Sequence, residues 1–228
     1  MTDTPLRLVI FDVDGTLVDS QAFIVEAMHR ACASAGEPPL PKSDILGIVG
    51  LSLPEAMQVL FPKHTSIHQM RMVELYKASF VEMRQSMGGE AAAPLFPGAR
   101  EALHELEAQG YLLSIATGKA RRGLDHMLDS HGLRPLFLGT QTADDAPSKP
   151  NPQMALNCMN SAGALPTDTV VIGDTAFDLQ MARSAGCHGI GVSWGYHPVE
   201  RLSGAEPRVI IDRFDDLIPE VEAIWEVA

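Results

Sequence analysis

Two carboxylates one residue apart, Asp12 and Asp14, follow the apolar run LVIF and lead into Gly15-Thr16. Like charges that close are costly unless a cation or an unusual protonation state relieves them. Such a pair could serve as metal ligand, nucleophile and proton donor within one turn of chain. Taken alone, an Asp-Gly after an apolar run is equally well read as a turn. Further positions supply what the chemistry needs. Thr117 and Gly118 follow the run LLSIA, and Lys149 sits in the proline-stiffened stretch Ser148-Lys149-Pro150-Asn151-Pro152. Asp174 ends TVVIGD, and Asp178, four residues on, reaches the same face once a helix has begun.

These residues need elements that bring them together. Residues 6–11 read as a buried strand that delivers Asp12 at its carboxyl end. A helix follows from Ser20, its N-cap, with Phe23, Ile24, Ala27, Met28 and Ala31 on one side; Gly36, Pro38, Pro39 and Pro41 stop it. Residues 43–90 read as helix in several pieces, broken at Gly47–Gly50 and Phe61–Pro62, without a convincing strand. From Pro94 the rhythm changes. A helix from Pro97-Gly98 to Gln109 precedes strand YLLSIATG, helix Arg121–His131 and a short apolar stretch around Leu136–Leu138. Helix 152–162, strand TVVIGD, helix 176–185, strand GIGVSW, strand 209–211 and a closing helix from Asp215 complete the chain. Apolar runs alternating with helical patterns predict a parallel sheet covered on both faces. The fold class is α/β: a Rossmann-like parallel sheet core, 1–17 and 94–228, with an inserted all-helical domain, 18–93. Ligands of such sheets sit beyond the carboxyl ends of the strands, where Asp12, Asp14, Thr117, Gly118 and Asp174 all fall.

Four motifs occur in one order: DxDGTLVD at 12–19, Thr117, KPxP at 149–152 and GDxxxD at 173–178. Over its whole length the chain thereby resembles the haloacid dehalogenase-like hydrolases, in particular the phosphoglycolate phosphatase-like branch with a helical cap. The resemblance implies a phosphatase acting on a small phosphorylated metabolite, such as a phosphoglycolate-like compound or a sugar or nucleoside phosphate. It makes Asp12 the nucleophile that forms an aspartyl-phosphate, and Asp14 the acid and then the base. Lys149 cancels charge, and Thr117, Gly118 and the main chain at Val13 donate to the phosphate. Hard oxygen donors without paired thiols or imidazoles suit Mg²⁺. The resemblance gives the ion carboxylates of Asp12 and Asp174 and the carbonyl of Asp14, while Asp178 orients Lys149 or metal-bound water. Rival chemistries on this plan are a sugar phosphomutase and a phosphonate hydrolase; the latter needs a Schiff-base lysine from the insert, and context marks none of Lys42, Lys63 and Lys77. Two departures stand out: Gly118 replaces the Asn of many phosphoglycolate-type relatives, and LGTQTADDAPSKP lacks the commoner acidic pattern.

Other features have plainer readings. The 228 residues carry a net charge of -12, which disfavours nucleic acid or anionic membrane as partner. Cys32, Cys158 and Cys187 are scattered, consistent with reduced thiols, and the start MTDTPLR lacks a basic leader. A cytoplasmic monomer or homodimer is expected. Asp19 and Ser20 read as helix caps, Arg121 and Arg122 as a solvated helix start, and Trp194-Gly195-Tyr196 as loop packing. Gly47 to Ser52 reads either as an interhelix turn or as a loop facing substrate. His64 and His68 are spaced as ligands but lack a third nearby. Met70, Met72, Met83 and Met87 read as core of the insert or as adaptable lid surface.

Overall fold

The computed structural model describes residues 6–87 and 93–226. Six strands, β1 (Leu8–Phe11), β2 (Leu112–Ala116), β3 (Gly139–Gln141), β4 (Thr169–Gly173), β5 (His188–Val192) and β6 (Val209–Ile211), form one sheet in the order β3-β2-β1-β4-β5-β6. Every pairing is parallel. The chain works outward from β1 to β3 and then returns to the other side of β1 as β4. That reversal opens a crevice at the carboxyl ends of β1 and β4. Phe11 lies opposite Ile172, so Asp12 and Asp174 leave the sheet side by side.

Strand side chains alternate between two layers, as the pleat requires. Val9 and Phe11 pack with Leu103 of α5 (Ala99–Ala108), Leu124 of α6 (Arg121–His131) and Val221 of α10 (Leu217–Trp225). Leu8 and Ile10 pack on the opposite face with Met154 of α7 (Gln153–Ala162) and Met181 of α8 (Ala176–Ala185). A short α9 (Val199–Ser203), not anticipated from the sequence, joins β5 to β6.

Between β1 and α5 the chain forms α1 (Gln21–Ala35), α2 (Lys42–Leu46), α3 (Leu53–Leu60) and α4 (Ser66–Met87). These helices have their own core, including Met28, Ile45, Met57 and Met72. Met72 and Met83 are buried there, whereas Met70 is 50% exposed and belongs to the surface; the side chain of Met87 lies outside those described. Both connections to the insert run together: Val18 bridges Leu95 antiparallel, and the Asp19 amide donates to the Pro94 carbonyl at 2.9 Å.

The apolar stretch around Leu136–Leu138 precedes a strand and does not itself form one. Arg134–Leu136 is a 3-10 turn and Leu138 is 55% exposed, with the strand beginning at Gly139. An edge strand pairs on one side only, so burial leaves a weak apolar signature in its sequence.

Candidate active site

The buried Lys149 ammonium donates to Asp12 Oδ1 at 2.7 Å and to Asp178 Oδ1 at 2.5 Å. Asp178 Oδ2 accepts from the Thr175 amide (3.1 Å) and hydroxyl (2.6 Å), and the two residues form a reciprocal cap on α8. Both oxygens of Asp178 are thus engaged. Asp174 Oδ1 accepts from the Thr16 hydroxyl at 2.9 Å and its Oδ2 from the Tyr196 amide at 2.8 Å. Two glycines make this packing attainable. A Cβ on Gly15, whose φ is +91°, would fall 2.2 Å from Asp174 Oδ2, and one on Gly195 would fall 2.1 Å from Asp174 Cβ.

The electrostatics are those of a site short of one positive charge. Burial pushes Asp12 up to about 6; Lys149 pulls it back, while Asp178 and Asp14 add to the rise. Burial also holds Asp174 well above the usual carboxylate range, reinforced by Asp12 and Asp178. Burial works against the charge on Lys149, but Asp12 and Asp178 outweigh it and keep the ammonium protonated. Asp12 Oδ2 is buried without a hydrogen-bond partner. Carboxylate oxygens of Asp12, Asp174 and Asp178 lie within 4.8 Å of one another. An orphaned acceptor beside carboxylates pressed toward their neutral forms fits a bound cation, and the donors are all hard oxygens.

Asp14 has a separate set of partners. The Ser20 hydroxyl donates to its Oδ1 at 2.6 Å, and the Lys119 ammonium lies 3.0 Å from both its oxygens. Ser20 therefore does not cap α1 with its side chain; Asp19 Oδ1 instead accepts from the Gln21 amide at 3.3 Å. The Tyr196 hydroxyl sits 3.1 Å from the Ser20 hydroxyl, and the Trp194 indole donates to the Thr16 carbonyl at 3.1 Å. The stretch read as loop packing thus belongs to this cluster, because the loop after β5 crosses the same strand ends. Lys119 had no role in the sequence reading; its place two residues beyond Thr117, at a strand end, was the available signal. Val13 and Thr117 are buried in the same strand-end turns.

A cavity of about 380 Å³ lies between these strand ends and the insert, bordered by Asp12, Asp14, Thr117 and Gly118 below and by Ile48 to Leu51 above. Of the two readings of Gly47 to Ser52, the structure supports a loop facing the cleft. The core pins this loop. The Ser52 amide donates to the Ser148 hydroxyl at 2.8 Å, and His197 Nε2 and Arg201 Nη1 each reach the Gly47 carbonyl at 3.1 Å. His197 Nδ1 accepts from the Ala176 amide at 3.0 Å, which places the ring proton on Nε2. A Cβ on Gly118 would fall 2.6 Å from the Gly50 carbonyl oxygen and 2.7 Å from that of Leu51. The glycine that departs from the motif is where the insert comes down onto the sheet.

Two other readings change. Arg121 is not a solvated helix start: it pairs with Asp145 and donates to the Thr140 carbonyl at 3.0 Å, whereas Arg122 is exposed, as read, and borders the cavity. His64 and His68 do have an acidic neighbour, since Glu37 Oε1 lies 3.1 Å from each Nε2. Glu37 comes from just beyond the Gly36 cap of α1, too far along the chain for spacing to reveal.

Comparison with known proteins agrees with this geometry. The family model described as haloacid dehalogenase-like hydrolase matches residues 9–192. A probable phosphatase IndB of Dickeya dadantii is 37% identical over 97% of this chain and 96% of its own. A phosphoglycolate phosphatase of Agrobacterium fabrum is 32% identical, covering 96% of this chain and 94% of its own. The crystal structure of a hydrolase from Pseudomonas syringae superposes with a TM-score of 0.83 at 25% identity, over 96% of this chain and 99% of that one. With its motifs at the carboxyl ends of a parallel sheet beneath a helical cap, the chain belongs to the haloacid dehalogenase-like hydrolases and is a phosphatase of that family.

Proposed function

We propose a Mg²⁺-dependent phosphomonoesterase that works through an aspartyl-phosphate, with 1–17 and 94–228 as catalytic body and 18–93 as cap. The observation that carries this is Asp12 itself: one oxygen held by Lys149, the other orphaned beside Asp174. Asp12 attacks phosphorus in line; the bond to the leaving alkoxide breaks, and Asp14 gives that oxygen its proton. Asp14 then takes a proton from water, which attacks phosphorus and frees phosphate and Asp12. Ser20 and Lys119 fix the orientation of Asp14, and Lys149, Thr117 and main-chain amides at Val13 and Gly118 meet the phosphoryl oxygens. Carboxylates of Asp12 and Asp174 and the carbonyl of Asp14 would hold Mg²⁺, which supplies positive charge against the phosphoryl group when bound. The filled oxygens of Asp178 support its role as the holder of Lys149.

The substrate is a small phosphorylated metabolite, and the names of relatives bring phosphoglycolate forward among sugar and nucleoside phosphates. A phosphonate hydrolase is disfavoured: Lys77 borders the cavity, but its side chain is 52% exposed and pairs with Glu74, without the burial a Schiff-base lysine uses. Among the described residues no helix is long and apolar enough to cross a membrane, and free thiols at Cys32, Cys158 and Cys187 support a reducing, cytoplasmic setting. Phosphate release from a panel of phosphomonoesters tests the reading. Activity should vanish with excess chelator and return with Mg²⁺, and Asp12→Asn should fold yet lose at least about a thousandfold in kcat. Undiminished turnover in either case would overturn it.

A further inference from the structure

Phosphoryl transfer accounts for the floor of the cavity but not for its roof. Each insert segment that borders it presents hydrocarbon: Ile24 and Met28 from α1, Val49 from the loop after α2, Leu53 from α3 and Phe80 from α4. Ile24 and Met28 are one helical turn apart, and the Tyr76 ring lies 4.9 Å from that of Phe80, so the wall is continuous. Among the described insert residues lining the cavity, only Tyr76 and Lys77 have polar side-chain tips. Lys77 is engaged by Glu74 at 2.9 Å and Lys119 by Asp14 at 3.0 Å. On the core side, Arg122 and Asp144 both border the cavity, and Asp144 accepts from the Arg121 amide at 2.7 Å. A carboxylate beyond the phosphate finds no dedicated counter-charge on this roof.

Size points the same way. About 380 Å³ falls within the roughly 300–1,000 Å³ of small-molecule sites. At ~30 Å³ per water it corresponds to about a dozen molecules, a space that takes the phosphate as well and still exceeds what two further carbons fill.

We infer that the cap selects phosphomonoesters whose alcohol carries a ring or branched apolar body and no carboxylate, in preference to phosphoglycolate. This rests on the phosphomonoesterase reading above and names the leaving group for it. Filling an apolar pocket is worth about 10- to 200-fold per added group in kcat/KM.

The test uses the purified full chain with Mg²⁺ and three esters of similar intrinsic reactivity: ethyl phosphate, 2-phenylethyl phosphate and 2-phosphoglycolate. The expected kcat/KM for 2-phenylethyl phosphate is at least about tenfold above ethyl phosphate, with phosphoglycolate no better than ethyl. Calorimetry should show 2-phenylethylphosphonate binding tighter than ethylphosphonate by a similar factor. Phe80→Ala and Leu53→Ala should each shrink the phenylethyl-to-ethyl ratio. Preference for phosphoglycolate, a flat series, or an unchanged ratio in both variants would overturn the assignment while leaving the phosphatase reading intact. No turnover of any ester, with selective binding of 2-phenylethylphosphonate retained, would uphold the pocket and sink the catalytic reading instead.

Discussion

Gly118→Ala adds one methyl group where the insert meets the sheet. That carbon would stand 2.6 Å from the Gly50 oxygen, against 3.4 Å for ordinary contact, so the loop must retreat by about 0.8 Å. The obstacle is backbone, and the loop is tethered through Ser148, His197 and Arg201. Overpacking against so fixed a neighbour costs about 1–3 kcal/mol. Gly118 lies beyond the last residue of β2, away from the buried layers of the sheet, so the cost falls on the seated position of the insert. Converted to a rate, kcat/KM should fall by about 5- to 150-fold, while the thermal unfolding midpoint changes little. Gly118→Asn, bulkier still, should do more damage than alanine. Steady-state kinetics on any good substrate, paired with a melting curve, reads both quantities. Wild-type kcat/KM in Gly118→Ala would refute the view that this contact sets the closed arrangement.

Lys149→Met should destabilise the metal-free protein by about 3–5 kcal/mol at neutral pH, because Asp12 and Asp178 lose their buried counter-charge. The loss should ease toward pH 5, where Asp12, raised even in the intact site, takes up a proton; urea unfolding at both pH values checks this, and a loss that grows on acidification would contradict it. His197 acts in the opposite sense. Burial, then Arg201, lowers it from 6.5 to about 4, so between these values the unfolded chain binds the extra proton and stability falls with pH. The loss is about 1–2 kcal/mol by pH 5. His197→Gln should show a flatter profile in Mg²⁺ buffer than the parent, and parallel profiles would refute the role of the ring.

The clustering of the candidate site was legible because its residues end strands, and strands announce themselves as apolar runs. Asp12, Thr117 and Asp174 each follow such a run, and the crossover rule for parallel sheets brings them to one rim. What escaped were partners chosen by tertiary approach. Ser20 reaches Asp14 across six positions, Lys119 across 105, and Tyr196 reaches Ser20 across 176. Ser20 looked like a cap because its residue type suits one; a stronger acceptor nearby claimed its hydroxyl. The substitution at Gly118 was visible as a departure, but its meaning needed the carbonyls of Gly50 and Leu51. The apolar roof was hidden for a related reason: its members also carry the helical periodicity of a core, and only the open space beneath them separates the two roles.

The paired connections at Val18–Leu95 and Asp19–Pro94 carry a consequence for how this architecture diversifies. A module that departs and rejoins through neighbouring backbone positions can be lengthened, trimmed or replaced by a graft from another lineage with the same span between attachment points. The sheet, with its carboxylates already set, would tolerate such exchanges. New specificities can therefore arise by swapping what hangs from two adjacent threads, leaving the bond-breaking apparatus as it was.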